Sequence, residues 1–119
     1  MRCCILSVGT ELLFGHTINT NAAYLSKELN LLGFDVMYHF VVGDNDGRLS
    51  ETLKSALEKC DLIITTGGLG PTEDDITKET IAEVFDEELV MHAESFAALE
   101  RYAKKRGRKL TENNYKQAM

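Results

Sequence analysis

Three short apolar runs divide the chain, and a glycine comes directly after each. Residues 3–8, 36–42 and 62–66 consist mainly of apolar and β-branched residues, and they are followed by Gly9, Gly43 and Gly67. Short apolar runs bounded by turn residues are typical of β-strands. The first run is apolar at nearly every position, which indicates a strand that is buried on both faces.

The segments between these runs have the period of amphipathic helices. Two stripes of apolar residues recur every three or four positions: Ala22, Leu25, Leu29 and Leu32 in the first, and Leu49, Leu53, Ala56 and Leu57 in the second. Such spacing predicts one buried face per helix. Gly33 is placed to end the first helix, and Asp44, Asn45 or Asp46 is available to cap the second.

The last third of the chain has weaker signals. Thr72 and Asp75 have the spacing of a capping box, which predicts a helix from near Asp75 to about residue 85. Residues 89–91 are apolar, and we expect a short fourth strand there. A helical stripe follows at residues 96–103, and Thr111 is expected to cap a final helix.

The order of these elements predicts the fold class. Strands that alternate with single helices are typical of a parallel sheet covered by helices on both faces. We therefore expect an α/β domain with a mostly parallel sheet in a three-layer α/β/α arrangement. With 119 residues the chain is expected to be one domain, 1–119. Because the last predicted helix is still running at Met119, we expect this domain to be incomplete at its C-terminal end.

Charge and cysteine content narrow the functional classes. The net charge of −6 argues against a direct nucleic-acid partner, and the basic residues 104–109 are interpreted as the end of a helix. No run is long and apolar enough to cross a membrane, and no signal peptide is evident. The three cysteines, Cys3, Cys4 and Cys60, are too few for a disulfide framework. We expect buried, reduced thiols and a cytoplasmic protein.

Ligands of open parallel sheets bind beyond the carboxyl ends of the strands. The loops at residues 9–21, 43–47 and 67–75 follow the three predicted strands and are polar and rich in glycine. Loops after strands are commonly polar in any case. These three nevertheless concentrate glycines and carboxylates, so we expect the functional site at this edge.

The third loop has the strongest pattern. Gly67, Gly68 and Gly70 allow positive φ angles and a close approach of the backbone to a ligand, and a helix that begins near Asp75 would add the positive end of its dipole. These features predict an anion-binding site, such as one for a phosphate group.

A run of acidic residues adjoins that loop. Glu73, Asp74 and Asp75 would repel a bound phosphate unless a cation lay between them, and oxygen ligands of this kind are typical of Mg²⁺ sites. The alternative is that Asp74 and Asp75 only cap a helix.

The other two loops supply further candidates. Asp44 or Asp46 is expected to face the ligand edge while the other caps a helix, and Glu11 is a candidate metal or ribose ligand. For Asn19 and Thr20, capping of the following helix is an equally good interpretation.

Several familiar motifs are absent. The loop lacks the Gly-Lys-Ser/Thr of a P-loop, and Glu73 stands where a dinucleotide-binding fingerprint has its third glycine. There is no serine nucleophile elbow. The histidines His16, His39 and His92 are isolated from one another. Metal-assisted attack by water or by a substrate phosphate is therefore the expected chemistry.

Four motifs together resemble the molybdopterin-binding domain superfamily, and within it the N-terminal domain of the competence/damage-inducible CinA family. They are Gly-Thr-Glu-Leu-Leu-x-Gly at residues 9–15, Asn-Thr-Asn-Ala at 19–22, Gly-Gly-Leu-Gly-Pro-Thr-x-Asp-Asp-x-Thr at 67–77, and Leu-Thr-Glu-Asn-Asn-x-Lys-Gln-Ala at 110–118. The matches occur in the same order over the whole chain.

The resemblance implies an activity. CinA-family domains of this kind hydrolyse the pyrophosphate of ADP-ribose with a divalent cation (Mg²⁺, Mn²⁺ or Co²⁺), form dimers, and are usually joined to a nicotinamide-mononucleotide deamidase domain. The resemblance also implies three sets of site residues in this chain. We expect catalytic roles for Asp44 and Asp75, cation binding by Glu11, Asp74 and Asp75, and substrate or phosphate contacts from Thr10, Asn21, Gly67, Gly68, Gly70 and Thr72.

Two departures from the relatives affect this interpretation. The molybdopterin-adenylating relatives have an arginine where this chain has Asp74, which favours hydrolysis over adenylation. The family domain also continues beyond Met119 into a segment that helps to close the site. The alternatives are a non-catalytic nucleotide- or pterin-binding module of a competence or repair protein, and an enzyme like the molybdopterin adenylyltransferases.

Overall fold

The computed structural model describes all 119 residues and contains one parallel sheet. Its strands are β1 (Arg2–Val8), β2 (Asp35–Val42) and β3 (Leu62–Thr66), in the spatial order β2-β1-β3. Both neighbours run parallel to β1, and one extra residue of β2, Met37, makes a bulge opposite the start of β1. All three predicted strands and the predicted α/β class are confirmed.

The helices lie between and after these strands. They are α1 (Thr10–Leu13), α2 (Thr20–Leu31), α3 (Asp46–Lys59), α4 (Thr77–Val84), α5 (Ala93–Lys105) and α6 (Glu112–Tyr115), with a final 3₁₀ turn at Lys116–Ala118. None of these helices combines the length and the apolar character that a membrane-crossing segment needs.

Strand β1 separates two apolar layers. Cys3 and Ile5 are fully buried on the side of α2, where Ala22 and Leu29 pack against them. Leu6 lies on the opposite face, in a cluster with residues of α3. Successive side chains of a strand point to opposite faces, so an apolar β1 produces the three-layer arrangement that its composition predicts.

The predicted capping residues begin and end the helices beside the sheet. The Asn19 side chain accepts a hydrogen bond from the Ala22 N–H at 3.2 Å and begins α2. Asn45, rather than either neighbouring aspartate, caps α3 by accepting from the Arg48 N–H at 2.9 Å. Gly33 follows the end of α2 with a φ of 89°, the left-handed conformation expected of a helix-ending glycine.

The predicted start of α4 is wrong by about two residues. The Thr72 hydroxyl donates to the Asp75 carboxylate at 2.7 Å instead of accepting a hydrogen bond from the Asp75 amide, as a capping box requires. The Asp75 N–H bonds to the Thr72 carbonyl at 3.1 Å and closes a turn. Ile76 has a ψ of 2°, so the helix begins only at Thr77.

The prediction of a fourth strand is also wrong. Residues 89–91 belong to an irregular connection between α4 and α5, and the sheet has three strands. Val90 is 70% exposed, and the His92 N–H bonds to the Ala118 carbonyl at 2.7 Å. This segment packs toward the end of the chain and not along the sheet.

The expectation of three reduced cysteines is wrong for two of them. Cys4 and Cys60 form a disulfide, and Cys3 is a buried free thiol. Cys4 lies on the α3 side of β1, and Cys60 ends α3, which places their Cα atoms 6.1 Å apart. The two residues are 56 positions apart, so local spacing could not show that they meet. Burial raises the pKa of the remaining Cys3 thiol.

Replacing Cys60 with Ala should lower the free energy of unfolding of the oxidised chain by about 4 kcal/mol, because the crosslink no longer restricts the unfolded state. Urea unfolding measures this, and the variant's transition should be insensitive to reductant. Equal unfolding free energies of the wild-type chain before and after reduction, with thiol titration showing that the bond had opened, would contradict the prediction.

Candidate functional site

The three strands end at one level, which brings their loops together. Val8 of β1 is paired with Val42 of β2, and Ser7 is paired with Thr66 of β3. The Gly9 N–H extends this ladder by donating to the Val42 carbonyl at 2.9 Å. The loops that begin at residues 9, 43 and 67 therefore start side by side at the carboxyl edge of the sheet.

The third loop is held in a conformation that requires glycine. Gly67 and Gly68 have φ angles of 90° and 68°. A Cβ on Gly67 would lie 2.1 Å from the Val8 carbonyl oxygen, and one on Gly68 would lie 2.1 Å from Thr77 Oγ1. The Thr77 hydroxyl also donates to the Gly67 carbonyl at 2.7 Å. The backbone of this glycine loop, residues 67–70, is thus wedged between β1 and the start of α4.

Two amides of the glycine loop have no hydrogen-bond partner within the chain. The N–H groups of Gly68 and Leu69 donate to no other group of the chain, although the Thr77 N–H in turn donates to the Gly68 carbonyl at 3.2 Å. Leu69 is exposed. Unpaired N–H groups in a glycine-rich loop are the donors that a phosphate oxygen needs.

Asp75 lies against the same loop and is ionised. Its Oδ2 accepts hydrogen bonds from the Thr72 hydroxyl at 2.7 Å and the Thr72 N–H at 3.0 Å. The Thr72 hydroxyl bond is the main cause that lowers the pKa of Asp75, with smaller contributions from backbone amides and the charge of Lys116. A Cβ on Gly70 would lie 2.6 Å from this oxygen, so the third glycine leaves space for the carboxylate.

The first two loops are joined through Thr10 and Asp44. The Thr10 hydroxyl donates to Asp44 Oδ2 at 3.0 Å and accepts from the Asp44 N–H at 3.0 Å. Asp46, by contrast, joins two helices, because its Oδ1 accepts a hydrogen bond from the Thr80 hydroxyl of α4 at 2.7 Å. Of the two aspartates in this loop, Asp44 is the one that remains at the strand ends.

The start of α2 completes the edge. The Asn19 amide donates to the Ser7 hydroxyl at 2.9 Å, and the Asn21 amide donates to the Thr66 hydroxyl at 3.1 Å. Glu11, Asn21 and Gly67 line one cleft of about 130 Å³. Sites for whole small-molecule ligands usually enclose about 300–1,000 Å³. This cleft is too small for a whole nucleotide and is of a size for one phosphate group.

The predicted cation ligands are not gathered into one cluster. No group of three or more His, Cys, Asp or Glu side chains is close enough to hold a metal ion. Glu11 lies beside Gly9 at the cleft, whereas Asp74 is an exposed residue of the turn before α4. Mg²⁺ is commonly held by one or two carboxylates together with substrate phosphates and water. The residues present fit that mode of binding and do not form an all-protein metal cage.

Sequence reasoning missed one residue at this loop. Lys116 Nζ donates to the backbone carbonyls of Thr72 and Asp75 and lies 3.6 Å from the Glu79 carboxylate. The motif at residues 110–118 contains this lysine, but a match of residue types does not show what the side chain contacts. The contact spans 41 positions from Asp75 and depends on how the end of the chain packs.

The largest depression of the surface lies elsewhere. It has a volume of about 610 Å³ and is formed by α5 and the segment that follows it, with Phe96 and Tyr115 in its lining. The basic residues Lys104 and Lys105 are in the last turn of α5, where they complement the helix dipole as expected. None of the residues predicted for the site lines this depression.

Comparison with known proteins gives one family. The family described as "probable molybdopterin binding domain" matches residues 4–116. A CinA-like protein of Dictyoglomus thermophilum is 54% identical over 118 residues, which are 99% of this chain and 29% of that protein. The chain thus spans less than a third of the length of the curated relatives it matches.

Solved structures agree with this assignment. The crystal structure of the protein CinA from Thermoplasma acidophilum, described as having unknown function, superposes with a TM-score of 0.89 at 34% identity, covering 99% of this chain and 69% of that one. The molybdopterin biosynthesis enzyme MoaB of Thermus thermophilus superposes with a TM-score of 0.67 at 25% identity, covering 98% of this chain and 70% of that one.

Replacing Gly67 with Ala should lower the free energy of unfolding by about 1–3 kcal/mol, because the added Cβ meets the Val8 carbonyl and the φ angle is positive. Gly47, in the first turn of α3 with its nearest neighbouring atom at 3.6 Å, is the matched control. There alanine should change stability by no more than about 1 kcal/mol. Urea unfolding compares the two, and equal effects would show that the glycine loop is not constrained.

Replacing Thr72 with Val should raise the pKa of Asp75 toward that of an ordinary carboxyl group. Because folding lowers this pKa, its stabilising contribution is present above the ordinary value of about 3.9 and is lost as the pH falls through the lower folded value. NMR titration of the carboxyl carbons measures the change. Asp61, whose pKa is lowered mainly by its hydrogen bond with Arg2, is the internal reference. An unmoved Asp75 would rule out Thr72 as the cause.

Proposed function

The chain belongs to the probable molybdopterin-binding domain family, among its CinA-like members, and from this we propose that it hydrolyses the pyrophosphate of ADP-ribose or a related dinucleotide with a divalent cation. The observation that carries the proposal is a loop with free amides at Gly68 and Leu69 beside an ionised Asp75. Donors for a phosphate and a carboxylate for a cation are the two elements that this reaction needs.

The glycine loop binds the substrate in this proposal. Its free amides donate to the oxygens of one phosphate group. Gly67 of the same loop also lines the cleft of about 130 Å³, which is too small for a whole nucleotide. Asn21 and Thr66, which are hydrogen-bonded to each other, line the same cleft and fix its polar wall. A phosphate that is held at a fixed place lowers the entropic barrier to attack on it.

The carboxylates at the strand ends bind the cation. Asp75 would hold it together with Asp74, Glu11 or Asp44 and with oxygens of the substrate, and the cation would neutralise charge on the phosphates. The Thr72 hydroxyl lowers the pKa of Asp75, and Thr10 makes two hydrogen bonds with Asp44. Asp74 would add negative charge beside the loop, which suits a bound cation better than an anion alone.

The reaction adds one water molecule across the linkage between two phosphates. The water oxygen bonds to one phosphorus, the bond from that phosphorus to the bridging oxygen breaks, and the two products are phosphate monoesters. Since the relatives are much longer than this chain, the activity is proposed for the intact protein, which we further propose to act as a homodimer.

One observation favours a second candidate. Because Glu11, Asp74 and Asp75 are not gathered with one another, the loop could bind a nucleotide or a pterin without hydrolysing it. As a non-catalytic module, the domain would show binding of ADP-ribose by calorimetry without the release of products under any cation. Pterin binding at the same loop would instead favour chemistry like that of MoaB.

Replacing Asp75 with Asn in the intact protein should lower kcat/KM for ADP-ribose by about 100-fold or more, because the carboxylate that binds the cation is lost. Chelation of divalent cations should abolish turnover of the wild-type protein, and Mg²⁺, Mn²⁺ or Co²⁺ should restore it. The measurement is the release of phosphate monoesters.

Asp61 provides a matched control for this substitution. It is an ionised aspartate paired with Arg2 at the opposite end of the sheet, so Asp61→Asn should retain turnover. Wild-type turnover in the Asp75 variant would refute the assignment of Asp75. Tight binding of ADP-ribose with no product under any of the three cations would identify the non-catalytic module.

A further inference from the structure

One lysine side chain links the end of the chain to the turn that carries Asp75. Lys116 Nζ donates to the carbonyls of Thr72 and Asp75 and pairs with the Glu79 carboxylate at 3.6 Å. Its side chain is only 21% exposed. An ammonium group has three donors. The two carbonyls take two of them, and the Glu79 carboxylate lies within ion-pair distance.

These contacts act on the geometry of the turn. The Thr72 carbonyl accepts from the Asp75 N–H at 3.1 Å as well as from Lys116. Because Lys116 also donates to the Asp75 carbonyl, its ammonium group holds both ends of the turn. The backbone of Lys116 is fixed in return, because Lys78 of α4 donates to the Lys116 carbonyl. The last 3₁₀ turn, α4 and the Thr72–Asp75 turn are therefore connected as one unit.

The Glu79 carboxylate also depends on Lys116. Its Oε1 faces Lys116, and its Oε2 is buried without a hydrogen-bond partner. A carboxylate that is partly withdrawn from water depends on a neighbouring positive charge. Lys116 is the cation that the structure gives it.

We propose that Lys116 is a positioning residue for Asp75: by holding the two carbonyls of the turn, it orients the Asp75 carboxylate toward the glycine loop. This inference rests on the proposed hydrolysis. Lys116 touches the backbone of the turn and leaves the amides of Gly68 and Leu69 unchanged. Its loss should therefore impair turnover more than it impairs binding of the phosphates.

Replacing Lys116 with Met in the intact protein should lower kcat for ADP-ribose by about 10–100-fold, the usual effect of losing a residue that orients a ligand-binding group. KM should change by less than about 3-fold, because the loop amides still bind the phosphate. Lys116→Arg should recover part of the loss, since a guanidinium can donate to both carbonyls. Lys109→Met, an exposed lysine of the same region, should behave as the wild type.

A second variant distinguishes the loss of the Lys116 contacts to the turn from the effect of leaving the Glu79 carboxylate without a cation. In Lys116→Met alone, the Glu79 carboxylate is left without its cation, whereas Lys116→Met combined with Glu79→Gln removes that charge. The double variant should keep the low kcat. A return to wild-type kcat in the double variant would show that the uncompensated carboxylate was the cause, and this would overturn the positioning role.

Chemical rescue provides a third measurement. In Lys116→Gly, added n-butylammonium should restore part of the lost kcat, because it replaces the missing methylenes and N–H donors. Tetramethylammonium, which has the charge but no donor, should not. Equal rescue by both ions would overturn the role of the hydrogen bonds to the carbonyls.

Amide exchange distinguishes failure of this inference from failure of the proposed function. If the wild-type protein hydrolyses no dinucleotide, the proposed function fails, but Lys116→Met should still accelerate exchange at the amides of Asp75 and Thr77 relative to those of β1. Unchanged exchange at both amides, or wild-type kcat in Lys116→Met, would overturn the role of Lys116.

Discussion

Burial of β1 on both faces is the constraint on which the rest of the molecule depends. Its side chains alternate between the α2 layer, reached by Cys3 and Ile5, and the layer of α3 and α4, reached by Leu6 and Val8. A central strand with no polar face must be covered on both sides and flanked by strands at both edges. The flanking strands are parallel and in register with it, so their ends, and hence three loops, come to one edge of the sheet.

Local sequence patterns made much of this fold predictable. Apolar runs and helical stripes indicated β1, β2, β3, α2 and α3, and short polar side chains such as Asn19 and Asn45 began the helices as expected. Failures occurred where side-chain contacts, one local and one distant, overrode the sequence spacing. The Asp75 carboxylate binds the Thr72 hydroxyl and delays α4, and the pairing of Cys4 with Cys60 depends on packing between elements that no spacing reveals.

The position of the candidate site at the sheet edge was predictable, but the hydrogen bonds among its residues were not. Glycines and carboxylates after each strand indicated the edge of the sheet, and Thr10, Asp44 and Asn21 do lie there. Which carboxylates are available depends on their partners: Asp46 is bound by Thr80, and Asp44 is held by Thr10. The acidic run at residues 73–75 does not make a metal cluster: Asp75 is bonded to Thr72, whereas Asp74 is exposed.

The disulfide divides the domain in a way that the sheet does not. Cys4 and Cys60 close a covalent ring that contains β2, α2, α3 and most of β1, whereas β3, the glycine loop, Asp75 and Lys116 all lie outside it. Partial opening of a native protein proceeds through cooperative units of unequal stability. In the oxidised chain the crosslink restrains residues 4–60 in every partly opened state, whereas the segment that holds the glycine loop is restrained only by its non-covalent contacts.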